Sequence, residues 1–281
     1  MTSLSVEPAP RAAHLPPVGT LRLGLARGAL ELKQFFREKD YVVFTFSLPA
    51  VLLVLLGSIF GQEIGDTGVT KGQLLAAGMI GAGVISTSFT TLGVGICLDR
   101  EDGTLKRLRG TPMPPAAYFI GKFILVAVCS VAEVVLILAV GTLMFGLDLP
   151  STPGKWWTFA WVFALGLAAC TLLGIAVSGL PGSARSAPAV INMPFLALQF
   201  VSGVFITPIT VLPTLMVTVA SVFPVKWICQ GFRSVFLPDE LAAWEPAGTW
   251  ELGRTALVLG AWCAVGLALC LLTFRWTGRR R

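Results

Sequence analysis

Long apolar runs separated by short polar knots set the rhythm of this chain. Runs near Tyr41–Phe60, Leu74–Leu98, Tyr118–Phe145, Trp156–Gly179, Ala187–Thr207 and Gly253–Trp276 carry almost no charge. Each approaches the ~20 residues that take a helix across a bilayer core. Hydrocarbon tolerates only internally bonded helices or closed barrels, and the alternating pattern of barrel strands is missing. The pattern therefore predicts an all-α polytopic membrane protein, with six transmembrane helices between residues 41 and 276.

The segment 20–40, ahead of the first run, has a different period. At about 100° per residue, Leu21, Leu25, Leu32 and Phe36 share one stripe, and Arg27, Glu31, Gln34 and Glu38 lie opposite. This predicts an amphipathic helix in the membrane interface with its apolar side in lipid; the other reading packs it on protein. Residues 1–19 are rich in proline, lack the apolar core of a signal peptide, and read as a disordered cytoplasmic tail. The run Ile209–Pro224 is short and interrupted by Pro213. It is expected to be a re-entrant part of an outer segment, 208–252, buried against protein. Trp227, Trp244 and Trp250 are expected at headgroup level there.

Composition supports the membrane reading, since 55% of residues are apolar and 13% charged, against about 25% charged in soluble domains. Placing both termini inside puts 16 of the 21 lysines and arginines on the cytoplasmic side. That includes the basic end, 277–281. The six cysteines show no ligand spacing and His14 stands alone. No metal site and no nucleic-acid partner are expected.

One knot is unusually dense. "REDGTLKRLRGTPMPP", Arg100–Pro115, holds six charges and three prolines within the cytoplasmic connection 99–117. Asp102 can cap a short helix on which Leu105 and Leu108 share a face. Lys106, Arg107 and Arg109 surround that face, and the prolines end it. Such a turn reads as a knob for a partner's groove, or as an ordinary solvated loop.

"EDGTLKRLRGTPMPPAAYFIGK" resembles the signature of the ABC transporter type-2 permease family, the membrane halves of many bacterial drug, polysaccharide and lipid exporters. "MPFLALQFVSGVFITPITVLPTLM" and "FPVKWICQGFRSVF" are similar to its fifth span and outer loop, and drug-resistance permeases resemble the chain most. The resemblance implies a coupling helix in which Glu101, Gly103, Thr104, Leu105, Arg107, Leu108 and Arg109 meet a separate ATPase subunit, present in two copies. It also implies a second permease half, identical or paralogous, in a bacterial cytoplasmic membrane. ATP and magnesium would belong to the partner, because no G-x-x-x-x-G-K-[ST] phosphate cradle occurs here.

Within the membrane, small residues recur every four positions: Gly78, Ala82, Ser86 and Thr90; Gly166, Cys170, Gly174 and Ser178; Gly260, Ala264 and Ala268. Such ladders mean close helix packing or a pathway wall. In span five, Asn192, Gln199 and Gly203 share a face near Phe195, and Pro188 and Pro194 are expected to bend the helix. Amide beside aromatic suits a substrate cavity, and equally an interhelical hydrogen bond. The family places spans two and five at the dimer axis, so Thr87, Phe89 and Thr91 are candidates for the other wall. Glu133 is a lone acid deep in span three, either a relay, a contact for a cationic substrate, or a neutral acid bonded to a neighbouring helix. Leu212 and Pro213 are candidates for an outer gate.

These features predict a permease subunit exporting hydrophobic or amphipathic compounds, drug-like or lipid-like, with no catalytic site of its own. A self-sufficient secondary transporter and a membrane-embedded lipid-processing enzyme are the alternatives.

Overall fold

A computed structural model describes residues 19–60, 62–64 and 67–274. The readings made for 1–18 and 275–281 fall outside these residues. The regular elements described are all helical, apart from one isolated bridge between Glu63 and Thr70.

Helix α1 (Thr20–Arg37) is separated by Glu38 alone from α2 (Lys39–Ile59). A capping box, in which Thr70 and Gln73 each accept the other's backbone N–H, starts α3 (Lys71–Ile85). Span two then passes through a π-helical segment (Ser86–Thr91) into α4 (Leu92–Glu101). This composite is the hub of the fold: 72% of its apolar window is buried inside the protein, against 11% for α2. After the short α5 (Thr104–Arg109), Pro115 occupies the first turn of α6 (Pro115–Phe145), where its missing N–H costs nothing. Gly146, with φ +64°, ends α6, and Thr152 caps α7 (Pro153–Val177). Then follow α8 (Ala187–Val201), α9 (Thr214–Val222), α10 (Pro224–Phe236) and α11 (Leu252–Thr273).

Five helices are long and apolar enough to cross a bilayer, and α9 and α10 form a pair bent by 93°. Every residue of α10 is buried, whereas α9 exposes Leu215, Val219 and Val222. The bent pair, which turns at Phe223 and not at Pro213, thus has one buried and one exposed arm. Trp227 is buried within the protein, its indole Nε1 donating to the Ser221 carbonyl at 2.8 Å. The fifth apolar run is helical only to Val201, because the chain turns at Gly203, φ +76°. Arg233 secures that turn: its Nη1 donates to the Gly203 carbonyl at 2.8 Å and its Nε to Glu245 Oε1 at 2.8 Å.

Helix α1 divides its surface in a way the two-sided expectation did not contain. Leu21, Leu25 and Phe36 stay exposed, fit for lipid, but a third stripe of Gly24, Gly28, Glu31 and Phe35 is buried. A Cβ on Gly24 would meet Ile120 Cγ2 at 2.6 Å, and one on Gly28 would meet Ile124 Cβ at 2.9 Å, so bare glycines let α1 lie directly on α6. The small-residue ladders divide too. Gly166 and Gly174 are close-approach points, but Gly260 faces open space and Ala264 and Ala268 are exposed. Helix α11 buries Thr255, Leu259 and Gly266 instead.

Gly28→Ala should therefore lower stability by about 1–3 kcal/mol through overpacking, measured as a lower Tm of the purified chain in micelles. Gly260→Ala is the matched control and should leave Tm unchanged; equal effects would refute the packing described for α1.

Candidate functional site

The charged knot lies where α4 hands over to α6. Gly103, φ +74°, makes the joint between α4 and α5 in a conformation that L side chains rarely adopt. Asp102 closes α4, its N–H bonded to the Leu98 carbonyl at 2.9 Å, and makes no side-chain cap for α5, contrary to expectation. Leu105 also departs from the coupling-face reading, being fully buried. It anchors α5 to its own chain, since a one-turn helix must pack its apolar side on the body that carries it. Leu108 and Thr104 are half-buried, and Lys106, Arg107 and Arg109 are exposed. Arg107 Nη2 reaches back to Thr104 Oγ1 at 3.2 Å. Glu101 points elsewhere, accepting from the Ala184 N–H in the turn between α7 and α8. Arg100 Nη1 donates to the Ser178 carbonyl of the same turn at 2.6 Å.

Beside the knot is an ion cluster that the sequence reading missed. Lys122 Nζ on α6 stands 2.7 Å from Asp99 Oδ2 on α4 and 2.8 Å from Glu31 Oε2 on α1. Arg27 pairs with Glu31 on α1, and the Tyr118 hydroxyl donates to Asp99 Oδ2 at 2.8 Å. The Tyr118 ring lies 5.5 Å from Lys122 Nζ and 5.9 Å from Arg27 Cζ, within cation–π reach. Two cations and two carboxylates balance, as burial requires. The available signal was the spacing 24, 28, 31, 35 on α1, which puts Glu31 in a glycine stripe.

Toward the middle of the helices, α2, the span-two composite and α8 enclose a groove of about 480 Å³. Tyr41, Thr45 and Leu48 come from α2, Ser86, Thr90 and Thr91 from the π segment, Val94 from α4, and Asn192, Phe195 and Gln199 from α8. None of the twenty lining residues is charged. Thr91, Asn192, Phe195 and Gln199 are thus where a substrate wall would need them. Two other candidates are not. Thr87 turns away and donates to Glu133 Oε2, and Phe89 packs on Phe195 with ring centroids 6.2 Å apart. The α2 wall carried no signal beyond a general apolar run. Leu212 and Pro213 lie between the turn Ile209–Val211 and α9, off the groove. Glu133 is fully buried. Among the described residues no three His, Cys, Asp or Glu gather as metal ligands.

Residues 28–237, from α1 through α10, match the ABC-2 type transporter family. The chain belongs to this family and is a multi-pass membrane permease, the transporter part that carries no ATPase domain. It is also 22% identical over 194 residues to a Bacillus subtilis (strain 168) protein named "Putative transport permease YvfS", covering 69% of this chain and 77% of that one.

Lys122→Met leaves the buried Glu31 and the partly buried Asp99 short of a cation and should cost about 3 kcal/mol, seen as a large fall in Tm. Lys122→Arg should recover part of it. A Lys122→Met chain as stable as the parent would mean that the cluster does not hold α1, α4 and α6 together.

Proposed function

We propose that the chain is the membrane half of an ATP-driven exporter of hydrophobic or amphipathic compounds. A separate ABC ATPase subunit, in two copies, docks on the α5 turn and brings ATP and magnesium. A second permease half, identical or paralogous, completes the pathway in a bacterial cytoplasmic membrane, with α5 and both termini on the cytoplasmic side. One observation carries the reading: a single helix, α4, runs from the joint with the exposed basic turn, where Asp99 is ion-paired, to the groove wall at Val94. A push on α5 therefore passes through the Asp102–Gly103 joint into α4 and along it to the groove. Permeases of this family work with ABC ATPase subunits, and the name of the Bacillus subtilis relative is that of a transport permease.

The groove supplies the cargo class. Hydroxyls of Tyr41, Thr45, Ser86, Thr90 and Thr91 and the amides of Asn192 and Gln199 are set in apolar surface without a formal charge. That favours molecules with a large apolar body and a few neutral hydrogen-bonding groups. Lys106, Arg107 and Arg109, rather than Leu105, present the docking face, with Thr104 and Leu108 at its edge and Gly103 as its hinge; Glu101 braces it from behind. Leu212 and Pro213 are assigned to the exit side, where α9 begins.

Arg107→Glu combined with Arg109→Glu should cut recovery of the ATPase complex by about tenfold or more, while the permease still inserts in the membrane. Undiminished co-purification would place the docking face elsewhere. Asn192→Leu with Gln199→Leu should change which lipophilic dyes are carried by reconstituted vesicles, with complex yield at the parent level; an unaltered dye range would remove the groove from the pathway.

A further inference from the structure

The groove takes Ser86, Thr90 and Thr91 from the π-helical segment. A π turn closes i→i+5 bonds and holds more residues than an α turn, is rare, and recurs at functional sites. Its persistence here has three visible supports. Ser88 Oγ donates to the Val84 carbonyl at 2.5 Å, competing for a ladder acceptor. The carbonyls of Ser88 and Phe89 press on α7 at Gly174, where a Cβ would stand only 3.0 and 2.8 Å from them. The third support is Glu133, whose Oε2 accepts from Thr87 Oγ1.

Glu133 is wedged as well as bonded. A Cβ at Gly83, in the last α turn before the π segment, would lie 2.9 Å from its carboxyl carbon. Its other oxygen is buried without a partner. An acid at this depth is an expensive substitute for leucine, and among the described residues the one hydrogen bond of its side chain goes to the π segment.

We infer that Glu133 is a positioning residue: through Thr87 it holds Ser86–Thr91 in the π register, and so decides which hydroxyls face the groove. Loss of one residue from the π turn would rotate one side of span two by about 100° and shift it by about 1.5 Å. Thr90 and Thr91 would then change their presentation to the groove, and α4, continuous with the segment, would carry the same change toward α5. The register claim stands on helix geometry alone. It holds whether or not the groove carries cargo.

The test uses the full chain in lipid nanodiscs, read by hydrogen–deuterium exchange and mass spectrometry. Glu133→Leu and Thr87→Val should each raise exchange of the Ser86–Leu92 amides by roughly fivefold to tenfold, the scale of one net hydrogen bond, with α7 and α11 at parent protection. Glu133→Gln keeps an acceptor and Thr87→Ser keeps a donor, so both should stay close to the parent. Maleimide labelling of Thr91→Cys, taken as the increment over the native cysteines, should change in the Thr87→Val background and not with Thr87→Ser. Unchanged local exchange in both Glu133→Leu and Thr87→Val, a rise spread equally over all helices, or failure of the conservative variants to restore protection overturns the register claim. A local rise with unaltered labelling overturns its extension to the groove.

Discussion

Lys122 holds its ammonium between carboxylates from two other helices, and the mechanical unity of the α5 end depends on that contact. Asp99 precedes the knot and Tyr118 and Lys122 follow it, so the two legs of α5 are tied to each other across the turn. Glu31 adds α1 to the same body, at the point where bare glycines bring α1 onto α6. A single buried charge there would be ruinous; four of alternating sign, with a phenol bonded among them, are stable only together. The cluster is all or nothing, which suits a part that must not flex while passing on a load.

From that body the load has one continuous route inward. Helix α4 ends at the cluster and begins at the π segment, and the π segment touches Glu133 of α6, Gly174 of α7 and Phe195 of α8 through different residues. The groove is built on this junction, so its wall is the least regular part of the most buried span. The Ser88 hydroxyl favours the irregularity by bonding the Val84 carbonyl, a group that an unbroken α-helix would keep for itself.

The fold class was largely legible. Long apolar runs must become helices in lipid, and the run set apart from the spans, Ile209–Pro224, supplies the first arm of the bent pair. What could not be read was tertiary. Leu105 sits in a helix of six residues, too short for periodicity to say which side faces inward. Glu31 looked like the wet side of an amphipathic helix because its partner lies 91 residues away, inside an apolar run where Lys122 registered only as a topology charge. Thr87 and Phe89 were candidates because the family resemblance places span two at the dimer axis, and their orientation follows from a π turn that no spacing rule reports. Asn192, Phe195 and Gln199 could be read as one set lining a groove because α8 keeps ordinary helical periodicity over most of its length.

The brevity of α8 has a consequence for the lipid around it. Fifteen residues extend about 22 Å, well short of a hydrocarbon core of about 30 Å. The remainder is covered by the folded turn whose Gly203 carbonyl is solvated by the Arg233 guanidinium instead of by water. The lipid along this flank therefore meets protein beyond the end of the helix, although the helix alone falls short of the core thickness.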